Sequence, residues 1–226
     1  MKVLITGTSQ GIGQAIARRF LLEGHQVVGI DRQQSTLSHE NYTHFVCDVR
    51  DREHLPEIDD VEILINNAGT QNEQDIDTNL KALIQVTEKY GIQPAIRSIL
   101  NIGSASGHTG AEFPEYCASK GGILSMSKAF AIDLGPYGIR SNVVLPGTIK
   151  TARWVKMGSK QIVNGDLTPI GDISDFEDIA NAAFFFGTDL SKNVTGAELV
   201  VDGGMMSQLY PQELNTLKAE KLASME

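Results

Sequence analysis

Lys2-Val3-Leu4-Ile5-Thr6-Gly7-Thr8-Ser9-Gln10-Gly11-Ile12-Gly13 is the stretch whose reading decides the fold. Lys2 to Thr6 is a short apolar run, read as a buried strand. A Gly-rich turn follows at once. Residues 14–22 then place Ile16, Ala17, Phe20 and Leu21 at helical spacing, and Gly24 closes that helix. Strand, Gly-rich turn and helix in this order form the context a dinucleotide site requires. Glycines let the backbone approach a pyrophosphate, and the helix N-terminus offers free N–H groups and the positive end of its dipole. The spacing is G-x-x-x-G-x-G, not the commoner G-x-G-x-x-G. Gly7, Ser9, Gln10, Gly11, Ile12 and Gly13 are the cofactor contacts expected here.

Working outward, residues 25–30 read as the second strand, with Asp31 at its end, 18 positions beyond Gly13. That is close to the ~20 expected for the acid that binds the adenosine ribose. A carboxylate there accepts hydrogen bonds from both ribose hydroxyls and repels a 2′-phosphate, so NAD is expected over NADP. Arg32 pulls the other way, since it could sit over the adenine or meet a phosphate. Residues 43–47 form a third strand, followed by Asp48-Val49. Asp48 could accept a hydrogen bond from the adenine amino group or cap the segment after it. Residues 51–60 read as a short surface helix or loop. Residues 61–65 form a fourth strand, which ends in the small, amide-rich Asn66-Asn67-Ala68-Gly69.

The totals agree with one α/β domain. The chain has 226 residues, 41% of them hydrophobic, and its 22 glycines exceed the usual share of about 7%. A formal net charge of −9 argues against an electrostatic nucleic-acid surface. Cys47 and Cys117 form neither a disulfide framework nor a metal-site spacing, so no metal is expected. The sequence shows no signal peptide and no apolar run of the ~20 residues a membrane helix needs. A cytoplasmic protein without a membrane partner is the expectation.

Tyr116-Cys117-Ala118-Ser119-Lys120 carries the chemistry. Tyr and Lys four apart on a helix share one face. A phenol of pKa about 10 is a poor acid/base near neutrality, and a nearby ammonium favours the phenolate. A fall of about two to three pH units would let Tyr116 exchange a proton with a substrate hydroxyl.

Thr6-Gly7-x-x-x-Gly11-Ile12-Gly13, Asn66-Asn67-Ala68-Gly69 and Tyr116-x-x-x-Lys120 occur in this order. Together they resemble the short-chain dehydrogenase/reductase family in its small single-domain form, over residues 1–204. The resemblance implies a doubly wound parallel sheet (a Rossmann fold) and a nicotinamide cofactor. It also implies a catalytic group of Asn79, Ser104, Tyr116 and Lys120. Asn79, in Asp77-Thr78-Asn79-Leu80, would hold a water in a proton relay to the Lys. Ser104 would donate a hydrogen bond to the substrate oxygen, with Ser106 a near competitor. Lys120 would bond the nicotinamide ribose. Asn67, Ala68 and Gly69 would line the cofactor, and Ile149 and Thr151, after Pro146-Gly147, would hold its carboxamide.

The rest of the chain follows the same pattern. Residues 98–102 form a fifth strand. Residues 116–134 form a long helix containing Gly121 and Gly122, with Ile123, Leu124, Met126, Phe130 and Ile132 as its apolar surface. The resemblance makes this helix a subunit interface, hence a homodimer or homotetramer acting on a small-molecule substrate. Residues 138–145 are a sixth strand, 176–190 a buried helix and 198–201 the last strand. Residues 148–170 form a substrate lid, with Trp154, Val155 and Met157 as candidate walls. Residues 205–226 are a tail, part of which could form an amphipathic helix or fray. Only 10 positions separate Gly69 from Asn79, so the helix that usually fills this gap must be reduced or absent. Two rivals remain in view: an NADP-dependent carbonyl or 3-oxoacyl reductase, and a cofactor-sensing protein without turnover.

Overall fold

A computed structural model describes residues 1–72, 75–150 and 168–208, together with positions 216, 220, 223 and 224. Its sheet has seven strands: β1 Lys2–Thr6, β2 Gln26–Asp31, β3 Tyr42–Val46, β4 Ile63–Asn66, β5 Ser98–Ile102, β6 Arg140–Pro146 and β7 Glu198–Val201. Their spatial order is β3-β2-β1-β4-β5-β6-β7, and every pairing is parallel. The helices are α1 Gly11–Leu22, α2 Ala82–Tyr90, α3 Ser106–Thr109, α4 Pro114–Leu134 and α5 Phe176–Gly187. This is the doubly wound fold expected of the strand–turn–helix opening.

The central strands are apolar on both faces because helices cover both faces. Alternation along β1 shows how. Val3 and Ile5 pack with Ile16 and Phe20 of α1 and Ile179 and Phe186 of α5. Leu4, pointing the other way, joins Val86 and Tyr90 of α2. Each such burial contributes about 1.5–3 kcal/mol. A smaller cluster of Leu83, Ile123, Leu124, Val143 and Leu145 seats α4 on the sheet. The start of α5 is fixed by a reciprocal cap: Asp175 accepts from the Asp178 N–H at 3.0 Å, and Asp178 accepts from the Asp175 N–H at 2.9 Å.

Ile132, part of the apolar surface expected of α4, is 75% exposed. It lies nine residues from Ile123, half a revolution around a helix, so the two point oppositely. The helix of residues 176–190 ends early at Gly187, where a side chain would run into the Phe20 ring. A single tight turn, Asp189–Ser191, follows and leaves Leu190 exposed. Between Gly69 and Asn79 the chain passes almost directly into a π-helical turn, Ile76–Lys81, which continues into α2.

Candidate active site

The strand order reverses between β1 and β4, and there the carboxyl ends of the strands open into a crevice of about 710 Å³. The Gly-rich turn forms its floor. Gly7 sits at φ +76°, a conformation glycine adopts without strain. At Gly13 a Cβ would collide with the Gly7 carbonyl oxygen and the Asn67 amide. The turn is stitched to β4 by hydrogen bonds. Thr6 Oγ1 accepts from the N–H groups of Asn67 and Ala68, both at 3.0 Å, while Asn67 Nδ2 donates to the carbonyls of Thr6 and Gly7 at 2.9 and 3.1 Å. Gly13→Ala must break this stitching and is expected to cost about 3 kcal/mol. An unchanged urea midpoint would contradict that packing.

No side chain caps α1, so its first N–H groups stay available beside Gln10, Gly11 and Ile12 on the crevice floor. That is the donor set a pyrophosphate needs. Ser9 faces away from this role: its N–H donates to Asp31 Oδ2 at 3.0 Å and its hydroxyl to the Gln33 carbonyl at 2.9 Å. Asp31 ends β2 on the crevice wall, and its other oxygen accepts from the Gln33 N–H at 2.9 Å. Each carboxylate oxygen has a second lone pair, so the fixed Asp31 can still receive ribose hydroxyls.

Asp48 and Val49 also line the crevice. Of the two roles considered for Asp48, capping a helix is not what the structure shows. Its carboxylate grips Arg50, with Nη2 at 2.6 Å and the Arg50 N–H at 2.9 Å. That grip holds its pKa below the usual carboxylate range.

The residues expected to form the acid/base group come from the end of β5, α3 and α4. Gly107 in α3 lies so close to α4 that a Cβ there would sit 2.9 Å from the Lys120 carbonyl carbon. This close approach brings Ser104, at the end of β5, to Tyr116. Of the two candidate serines, Ser104 is the one whose hydroxyl acts to lower the Tyr116 phenol; Ser106 begins α3 and donates its N–H to Ser104 Oγ at 3.2 Å. Lys120 is 6% exposed, and its ammonium donates to the Ile102 carbonyl at 3.0 Å. The nitrogen lies 5.7 Å from the Tyr116 ring centroid, over the ring face.

The electrostatics differ from the sequence expectation. Burial pushes the Tyr116 phenol up, and the Ser104 hydroxyl pulls it back only in part. Glu112, Asp75 and Cys117 add to the rise, whereas Lys120 does not offset it. The expected fall caused by Lys120 is therefore absent from this form of the site. Burial also lowers Lys120 itself, to about 8.

Asn79 is buried in the π-helical turn, and its side chain is already committed. Its amide NH₂ donates to Ser119 Oγ at 3.1 Å and the Thr70 carbonyl at 3.0 Å, and its oxygen accepts from the Thr70 N–H at 2.7 Å. Asn79 thus locks the segment after Gly69 to α4. Ile149 is buried on the crevice wall and pairs with Ser174, but Thr151 and the proposed lid walls Trp154, Val155 and Met157 lie outside the described residues.

Comparison with known proteins follows this geometry. Residues 7–206 match a family model described as enoyl-(acyl carrier protein) reductase. A 3-oxoacyl-[acyl-carrier-protein] reductase from Rickettsia conorii is 34% identical, covering 90% of this chain and 95% of that protein. The crystal structure of an oxidoreductase of the short-chain dehydrogenase/reductase family from Burkholderia thailandensis superposes with a TM-score of 0.81. It has 31% identity and covers 92% of this chain and 93% of its own. The chain is a short-chain dehydrogenase/reductase. A further member of the family, from Leptospira borgpetersenii with bound NAD⁺, matches at 26% identity and a TM-score of 0.80, covering 90% of this chain and 92% of its own.

As a short-chain dehydrogenase/reductase, the protein is an oxidoreductase acting on carbonyl or alcohol groups, and the crevice is where a nicotinamide cofactor fits. Among the described residues no helix is long and apolar enough to cross a membrane, and no cluster of potential metal ligands occurs. Sequence reading missed crevice residues of this oxidoreductase, among them Phe176 and Thr78. Phe176 stands where a Cβ on Gly11 would lie 3.8 Å from its ring, and Thr78 is buried with its hydroxyl unpartnered. The capping box before Phe176 marks the helix start that aims it inward; nothing local marks Thr78.

Proposed function

We propose that the enzyme transfers a hydride reversibly between NAD(H) and a secondary alcohol or ketone. The observation that carries this reading is the buried Lys120 ammonium over the Tyr116 ring, beside a crevice lined by Tyr116, Asp31 and the Gly-rich turn. The nicotinamide cofactor, when bound, supplies the hydride chemistry. Gly7, Gln10, Gly11, Ile12 and Gly13 hold its pyrophosphate, Asp31 its adenosine ribose, Asp48 and Val49 its adenine end. Asn67, Ala68, Gly69, Ile149 and Thr151 border the nicotinamide end, and Lys120 reaches its ribose.

In oxidation Tyr116 accepts the substrate hydroxyl proton; in reduction it donates one to the ketone oxygen. Ser104 orients that oxygen by a hydrogen bond and stabilises charge on it. Asn79 works through the fold: with its side chain spent on Thr70 and Ser119, the backbone of its π turn is what remains for a water of the relay. Residues 1–204 form the catalytic domain with a lid at 148–170. The exposed side of α4, with Ile132, suits a second copy in a homo-oligomer. A cytoplasmic location accords with this reading. Screening secondary alcohols and ketones for a change in the reduced-cofactor absorbance tests it; cofactor binding without any turnover would support a sensing protein instead.

A second reading, an NADP-dependent 3-oxoacyl reductase, is favoured by the name of the Rickettsia relative and by Arg32 on the crevice wall. Asp31 decides between them. Losing hydrogen bonds to a charged group costs about 1.5–3 kcal/mol, so Asp31→Ala is expected to weaken NADH binding about tenfold or more and to relieve repulsion of NADPH. An unchanged NADH/NADPH ratio would remove Asp31 from the role.

A further inference from the structure

Asp75 belongs to no catalytic set named so far. It stands just before the π turn, in the short connection between Gly69 and Asn79, and is 1% exposed. Its Oδ1 accepts from Thr70 Oγ1 at 2.9 Å and from the Asn72 N–H at 2.8 Å. Its Oδ2 is buried with no hydrogen-bond partner. A buried carboxylate oxygen left this way is costly unless a positive charge lies near. The buried cation of the site is Lys120, whose ammonium has three protons to donate and gives one to Ile102. The two side chains make no direct ion pair, yet each is buried with hydrogen-bonding capacity unspent, and Asp75 favours the protonated form of Lys120.

We propose that Asp75 is a positioning residue that serves as the buried counter-charge of Lys120 and clamps the Thr70–Asn72 segment at the mouth of the crevice. The clamp is visible in the bonds. Thr70 is held at three points, its hydroxyl by Asp75 and its N–H and carbonyl by Asn79, and Asn79 is in turn bonded to Ser119, one residue before Lys120. The short connection thus carries a carboxylate that tethers the segment and steadies the ammonium. Part of this rests on the proposed role of Lys120 at the cofactor beside Tyr116; the electrostatic coupling does not.

The test is a double-mutant cycle of Asp75→Asn and Lys120→Met, read by urea unfolding from neutral to alkaline pH. Asn keeps the acceptor for Thr70 and Asn72 and removes only the charge. In the parent, Asp75→Asn is expected to lower the urea midpoint at neutral pH and to move the Lys120 titration to acid by about one pH unit, a tenfold change in its protonation equilibrium. In the Lys120→Met background the same substitution is expected to leave the midpoint unchanged or raise it. The kinetic profile gives a second readout. Asp75 also raises Tyr116, alongside Glu112 and Cys117, so the Tyr116 limb should move to acid as well. Equal losses of stability in both backgrounds, with no shift of the Lys120 titration, would reduce Asp75 to a structural residue. Such a result would leave the hydride-transfer reading intact, whereas a parent enzyme without turnover but with full coupling would do the reverse.

Discussion

Tyr116→Phe is expected to bind NAD(H) as the parent does and to turn over about 10²–10⁴-fold more slowly, the usual contribution of a positioned acid/base. The substitution removes one oxygen and keeps the ring, so packing beside Lys120 and the crevice wall survives. What disappears is the hydroxyl proposed to exchange a proton with the substrate oxygen. The pH profile carries the sign. Burial raises the phenol, so the free enzyme holds it protonated at neutral pH. Reduction needs that proton, and its kcat/KM falls as pH rises through the Tyr116 pKa. Oxidation needs the phenolate, and its kcat/KM climbs over the same range. Both limbs should vanish in the Phe variant. Retention of most of the activity, or of the same limbs, would assign the proton transfer elsewhere.

Lys120→Met is expected to abolish most turnover and yet make the protein more stable at neutral pH. Lys120 is buried, and burial lowers its pKa from 10.5 to about 8. The unfolded chain therefore binds more protons than the folded one between those values, so parent stability rises with pH across this window. Below pH 8 the folded protein carries the full cost of a buried ammonium, about 3 kcal/mol. Met removes that cost but leaves the Ile102 carbonyl without its donor, which takes back about 1 kcal/mol. The net gain should be on the order of 2 kcal/mol at pH 7 and should shrink toward pH 10.5, where the parent lysine is neutral in both states. A variant less stable than the parent at every pH would mean that the ammonium is well solvated or fully paired.

These two residues show where sequence reading succeeds and where it stops. Strands buried on both faces read as near-continuous apolar runs, which made β1 legible; β5 and the more exposed edge strand β7 also fall where Ser98–Ile102 and Glu198–Val201 read as strands. The juxtaposition of Tyr116 and Lys120 followed from helical periodicity alone. The direction of the Tyr116 shift did not, because spacing gives the neighbour whereas desolvation depends on how β5, α3 and α4 close around the ring. The motif singled out Asn79, but its side-chain partners Thr70 and Ser119 are set by the tertiary fold. Asp75 was overlooked for the same reason. A carboxylate in the polar run of residues 70–77 reads as surface, and only the brevity of that connection draws it inside.

The central claim is that a phenol on α4 faces a nicotinamide held at the carboxyl edge of the sheet. A crystal structure with NAD⁺ and a secondary-alcohol analogue measures this directly. The account expects the Tyr116 hydroxyl and the Ser104 hydroxyl both within about 3 Å of the analogue's oxygen, with Lys120 at the nicotinamide ribose. A nicotinamide ring bound away from Tyr116, or a phenol turned into the interior in the ternary complex, would contradict it.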